Sequence, residues 1–257
     1  MTKICVDAGH GGRDNGSSLG NRFEKNDNLN IALKVRDILE GLGYTVIMTR
    51  EDDSYPTLPE RVEKANSEGC DVYISLHRNA FNGKTRGIET LISTLAGEVS
   101  VILAKNIQQR LVLIGGINRG VKRQQDNVYV LDKTVMPAVT VELLFVDNPR
   151  DNELFDEYID EYALAIADGI LETVPPNQTW EAYRQMYLTE PMMRGNDVAN
   201  LQRQLKSRGF FSGGISGLYG NATARAVYNF QKQKGLTPDG IAGKDTVLLL
   251  GGKWMRR

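Results

Sequence analysis

Along the first two thirds of the chain, short apolar runs alternate with segments of helical period. Residues 3–7 (KICVD) read as a buried strand. After a glycine-rich loop, Ile31, Val35, Ile38 and Leu42 recur at helical spacing, so a helix is expected over about 27–42, with Gly43 as its stop. The pattern then predicts a strand at 44–48, a helix at 58–68 and a strand at 70–76. Further apolar runs predict strands at 87–93, 127–131 and 138–146, and helices near 98–113 and 151–173. Strand and helix in alternation predict an α/β fold with a mostly parallel central sheet flanked by helices. The continuously apolar strands imply that both sheet faces are covered.

The pattern breaks at Val174-Pro175-Pro176, after a long helix with the stripe Phe155, Ile159, Tyr162, Ile166 and Ile170. A boundary there separates residues 1–174 from a linker over 175–188 and a module over 189–257. Within the module, Ser216-Gly217-Leu218-Tyr219-Gly220-Asn221-Ala222-Thr223 is answered by Asp239-Gly240-Ile241-Ala242-Gly243-Lys244-Asp245-Thr246. Two glycine turns, each leading into a helix, predict a compact three-helix unit.

The 257 residues are 41% hydrophobic and 25% charged, an ordinary soluble composition. No window approaches the roughly 18 apolar residues of a membrane span, and the N-terminus lacks the charged and apolar regions of a signal peptide. Cys5 and Cys70 lie beside apolar runs and read as buried reduced thiols. The net charge of −1 conceals an asymmetry: residues 1–174 balance to −8 and residues 189–257 to +7. A basic module suits nucleic acid, a membrane surface or an anionic polymer, and the sign alone does not choose among them.

The only two histidines, His10 and His77, each follow a predicted strand of the parallel sheet. Strand carboxyl ends are where open α/β sheets bind ligands. A lone histidine is most simply structural, but two at equivalent strand ends suggest a site. The small residues of Asp7-Ala8-Gly9-His10-Gly11-Gly12 leave the imidazole accessible, and the loop matches neither nucleotide-binding glycine pattern. Glu24 either favours the start of the first helix or joins the imidazoles, since two histidines with one carboxylate recur as catalytic zinc ligands. Glu142, inside the apolar run 138–146, is either a salt-bridged structural glutamate or a proton acceptor and donor at the strand's end.

These residues, with Glu24-Lys25, Thr49-Arg50, Arg61 to Asn66, Ile74 to Asn79, Gly87-Ile88-Glu89-Thr90 and Val141-Glu142-Leu143, resemble the zinc-dependent N-acetylmuramoyl-L-alanine amidase family of type 3 over residues 3 to about 172. The resemblance implies that His10, Glu24 and His77 hold one Zn2+ and that Glu142 is the catalytic carboxylate. Leu144 and Asp147 stand where that family often has glycine and serine, and no long insertion follows residue 77, which implies an open site. Residues 190–250 resemble the peptidoglycan-binding type 1 domain, with Ser216 where aspartate is common. Bacterial peptidoglycan, with anionic wall polymers beside it, is then the expected partner, in place of nucleic acid or a membrane interior. The absence of a signal peptide favours a phage-type endolysin held in the cytoplasm until it is released to the wall. A bacterial autolysin, a zinc carboxypeptidase on stem peptides and a non-catalytic wall-binding protein are the alternatives.

Overall fold

Runs such as Ile4-Cys5-Val6 and Val139-Thr140-Val141 are β-branched or apolar throughout, and they form the middle of a six-stranded sheet. The computed structural model describes residues 2–124, 128–176 and 180–255. The chain divides into two compact units, Met1–Pro176 and Asn177–Arg257.

In the first unit, β1 (Lys3–Ala8) leads through the hairpin β2 (Ser18–Leu19) and β3 (Arg22–Phe23) into α1 (Glu24–Gly41). Then come β4 (Thr45–Met48), α2 (Leu58–Ser67), β5 (Val72–Asn79), β6 (Ile88–Ser93), α3 (Glu98–Ile114), β7 (Asn118–Gln124), α4 (Tyr129–Lys133), β8 (Ala138–Phe145) and α5 (Pro149–Thr173). The sheet order is β4-β1-β5-β8-β6-β7, parallel except where β6 meets β8. Local chemistry sets the helix starts. Thr57 and Glu60 form a reciprocal capping box on α2, and the Asn148 side chain accepts from the Arg150 and Asp151 amides ahead of α5.

Register sorts the sheet into layers. Cys5, Tyr73 and Ala138 are aligned across β1, β5 and β8, and they pack in one apolar cluster with Val62 and Ala65 of α2 and Val130 and Leu131 of α4. Two residues further along the same face lie Asp7, Ser75 and Thr140, with Leu91 opposite Thr140 on β6. Two residues beyond that, His77, Glu142 and Glu89 stand in a row across β5, β8 and β6. Side chains alternate between faces, so this row shares the face that α2 and α4 cover further down. Cys5 and Cys70 are both free and buried beneath it.

The expectation of a strand at 127–131 is corrected. Residue 127 lies outside the described residues, and Tyr129–Lys133 is the short helix α4. Val128, Tyr129 and Val130 read as strand because they are β-branched or aromatic, but burying Val130 and Leu131 against α2 overrides that propensity. The strand lies upstream, in the polar sequence NRGVKRQ. As the sheet edge, β7 is only partly buried and needs no apolar run.

In the second unit, β9 (Glu181–Ala182), α6 (Asn196–Ser207), α7 (Asn221–Gln233), α8 (Lys244–Leu249) and β10 (Lys253–Trp254) surround a core that includes Leu201, Tyr219, Phe230 and Val247. Trp180, Ala182 and Met186, within the stretch that the sequence reads as linker, are part of that core. The repeat has a physical basis. Gln202 on α6 and Gln231 on α7 each clamp the glycine turn that follows, accepting from Gly217 N at 2.9 Å and from Gly240 N at 2.9 Å. The Ser216 hydroxyl accepts from Leu218 N much as the Asp239 carboxylate accepts from Ile241 N, so serine preserves the first turn.

Candidate active site

The loop after β1 carries His10 in a left-handed backbone conformation, φ 61°, a strained position for a residue with a Cβ. Two buried arginines hold it there. Arg50 donates to the carbonyls of Ala8 and Gly9 at 2.9 and 3.0 Å, and Arg61 donates to those of Ala8 and His10 at 2.7 Å each. The imidazole Nδ1 is 2.9 Å from Asp14 Oδ2, which fixes the ring. Close packing explains the glycines: a Cβ on Gly9 would fall 2.2 Å from the His77 ring, and one on Gly16 would fall 2.6 Å from Glu24 Oε2.

Glu24, the first residue of α1, is 3% exposed and lies between the two histidines. Its Oε2 is 3.2 Å from His10 Nε2, and its Oε1 is 3.0 Å from His77 Nδ1. The amides of Ser17 and Arg78 and the side chain of Asn28, one helical turn along, also donate to this carboxylate. One donor atom from each of His10, Glu24 and His77 lies within 4.8 Å of the others.

Burial opposes charge on this carboxylate, but the hydrogen bonds and fields of the two histidines hold it far below the usual range. Burial likewise opposes an imidazolium at His77. The Glu24 hydrogen bond and the fields of Glu142, Glu24 and Asp7 outweigh it and lift the pKa to about 9. The cluster therefore attracts positive charge. Two imidazoles and a carboxylate, oriented by Asp14 behind one ring, suit a divalent cation such as zinc.

Glu142 stands next to His77 in the parallel register and remains half-buried. Burial pushes its carboxyl up to about 7. Glu24 and Glu89 push the same way, and His77 and His10 oppose. Among the described residues Glu142 has no hydrogen-bonding partner, so the salt-bridged alternative finds no support there. Leu144, two residues on, has φ 64°, a conformation that glycine adopts without strain, next to the register shift between β5 and β8. Asp147 accepts from the amides of Phe81 and Gly83 and secures the loop after β5.

Residues 4–172 match the family model described as N-acetylmuramoyl-L-alanine amidase. The chain belongs to that family. Residues 194–250 match a putative peptidoglycan binding domain, so the second unit carries that domain as well. N-acetylmuramoyl-L-alanine amidase CwlM of Bacillus licheniformis is 30% identical over 215 residues, spanning 82% of this chain and 83% of the relative. The endolysin of Bacillus phage SPP1 is 35% identical over 181 residues, 67% of this chain and 66% of the endolysin. The crystal structure of N-acetylmuramoyl-L-alanine amidase from Clostridium difficile 630 superposes with a TM-score of 0.65 at 32% identity, covering 69% of this chain and 98% of that one.

The amidase unit brings together all four residues expected from the sequence. Sequence reasoning missed Asp14 and Asn28, although each had a signal: Asp14 follows His10 by four residues in the glycine loop, and Asn28 follows Glu24 by one helical turn. It also missed the contacts of Glu89. Buried and 7% exposed, Glu89 binds Arg119, Lys122 and Asn79.

Proposed function

We propose that this amidase cleaves the bond between N-acetylmuramic acid and L-alanine of peptidoglycan, with His10, Glu24 and His77 holding one zinc ion and Glu142 moving the proton. The convergence of those three side chains beside an adjacent, half-buried glutamate carries the reading. A zinc ion held there would supply Lewis acidity toward the amide carbonyl and the attacking water. Glu142 accepts the proton that the water loses and returns it to the departing L-alanine nitrogen. In the metal-free protein that carboxyl sits at about 7, and a cation held beside it would favour the carboxylate that accepts the proton. Asp14 keeps the His10 ring in place, and Arg50 and Arg61 keep its loop in place.

The second unit, in this reading, holds the enzyme to the wall, and its basic balance favours peptide carboxylates or anionic polymers. Likeness to a phage endolysin supports an endolysin role, with a bacterial autolysin as the second reading because CwlM is bacterial. Among the described residues no helix is long and apolar enough to cross a membrane. Elemental analysis and identification of products from purified walls test the proposal together. The expected result is one zinc per chain and new L-alanine amino termini without new reducing sugar ends. A His77→Ala protein that keeps both metal and activity would overturn it.

A further inference from the structure

The row His77–Glu142–Glu89 does not end at β6. Glu89 Oε2 accepts from Arg119 Nε at 2.6 Å and from Lys122 Nζ at 2.5 Å, both on the edge strand β7, and Glu89 Oε1 accepts from Asn79 Nδ2 at 3.0 Å. The guanidinium of Arg119 also lies over the Phe145 ring, 5.1 Å from its centroid. The ion pair and the cation–ring contact together anchor the group. Among the described residues its hydrogen bonding runs through Nε alone, which leaves the planar Nη fork for a ligand. The Arg119 and Lys122 side chains are 30% and 43% exposed. Two cations against one carboxylate leave a net positive charge beside Glu142, in a unit whose overall balance is negative.

We propose that Arg119, seconded by Lys122, is a specificity-determining clamp for the free α-carboxylate of the stem-peptide residue that follows L-alanine. The proposal rests on the amidase reading, which puts the L-alanine nitrogen at Glu142. Neighbouring strands are about 4.8 Å apart, and β7 is two strands from β8, so a guanidinium reaching back to Glu89 stands one to two strand spacings from Glu142. In a γ-linked L-alanyl-D-glutamate the α-carboxylate lies roughly 6 Å from the alanine nitrogen when extended. With a hydrogen bond of about 3 Å at each end the peptide spans at most roughly 12 Å, so it reaches a guanidinium at that separation without being fully extended. A planar guanidinium binds a carboxylate through two parallel bonds, and it loses that pairing when the carboxylate is amidated. Glu89 sets the position of the fork and, by neutralising one of the two cations, keeps the site from being a general anion trap.

The test is calorimetric binding, to the full chain, of L-alanyl-D-glutamate with its γ-carboxyl capped as an amide and of the same dipeptide with both carboxyls amidated. Wild type is expected to prefer the acid by ~10- to 100-fold, the range for a hydrogen-bonded charge. Arg119→Gln should bring the ratio to about one, and Arg119→Lys, which keeps the charge but loses the fork, should retain part of it. Arg123→Gln, altered at a residue whose guanidinium is bound to the carbonyls of Ser93, Thr94 and Ala96, should leave the preference intact. Equal affinity of wild type for the two dipeptides, or a preference that survives Arg119→Gln, overturns the clamp. A protein that prefers the acid but frees no L-alanine amine from muramyl peptides keeps the clamp and overturns the amidase reading. One that frees the amine without preference in binding overturns the clamp alone.

Discussion

Asp7 and Glu142 project from the same face of the same sheet, two residues apart in depth, yet their carboxyls are shifted in opposite directions. Asp7 is 1% exposed, and burial alone would favour its neutral form. The Arg61 guanidinium at 2.6 Å and the hydroxyls of Ser75 and Thr49, each at 2.6 Å, reverse that and hold its carboxyl below the usual range. Glu142 meets burial without such partners and is pushed up to about 7. A carboxylate on a central strand is thus structural or reactive according to what faces it. Asp7 braces the arginine that holds the His10 loop, and Glu142, without such partners among the described residues, suits the proton exchange proposed for it.

Replacing each carboxylate by its amide should separate the two roles, with the largest effect expected at Glu142. Glu142→Gln should lower muropeptide release by ~10²- to 10⁴-fold while metal content and wall binding stay at wild-type levels. Loss of metal would make Glu142 a ligand instead. Asp7→Asn should leave Arg61 buried beside a neutral partner. Denaturant unfolding should then show a stability loss of about 3–5 kcal/mol, with activity falling only as the folded fraction falls. A folded Asp7→Asn protein with little activity would show that the brace on Arg61 positions the His10 loop and does more than stabilise the fold.

Metal binding should show a proton cost of intermediate size. His77, held at about 9 in the metal-free protein, must lose its proton to become a ligand. Zinc affinity measured after chelation should therefore climb up to tenfold per pH unit and level off near pH 9, with protons released on binding. An affinity flat between pH 6 and 9 would argue against His77 as a ligand.

The smallest effects concern stability against pH in the metal-free protein, where the two carboxylates have opposite signs. Asp7 has a depressed pKa, so its contribution is present above its ordinary value of 3.8 and is lost as pH falls through the folded value. Glu142 has a raised pKa, so the folded state keeps a proton that the unfolded chain gives up. Stability should decline as pH rises from about 4.5 to about 7 and then level off. Melting curves of Glu142→Gln should lack that decline. If they keep it, another group carries the shift.

Much of the amidase unit was legible in the sequence because its signals are local. Helical spacing located α1, and apolar runs located the central strands. His10 and His77 announced themselves as strand-end histidines. Glu24 and Glu142 each had two readings until a resemblance weighted them, because a carboxylate at a helix start or inside an apolar run has ordinary structural uses.

The sequence by itself determined the alternation of elements, the break near Val174 and the pair of glycine turns, since each depends on residues within a few positions of one another. Tertiary structure decided the rest. The run Val128-Tyr129-Val130-Leu131 carries strand propensity, but the space beneath α2 accepts it as the helix α4. Trp180 and Met186 read as linker because the core that buries them is built by residues far along the chain. Only sheet order brought Glu89 opposite Glu142 and drew Arg119 and Lys122 onto it from a strand with no apolar run. Strand order and register are properties of the folded sheet, and no local pattern encodes which charge will face which.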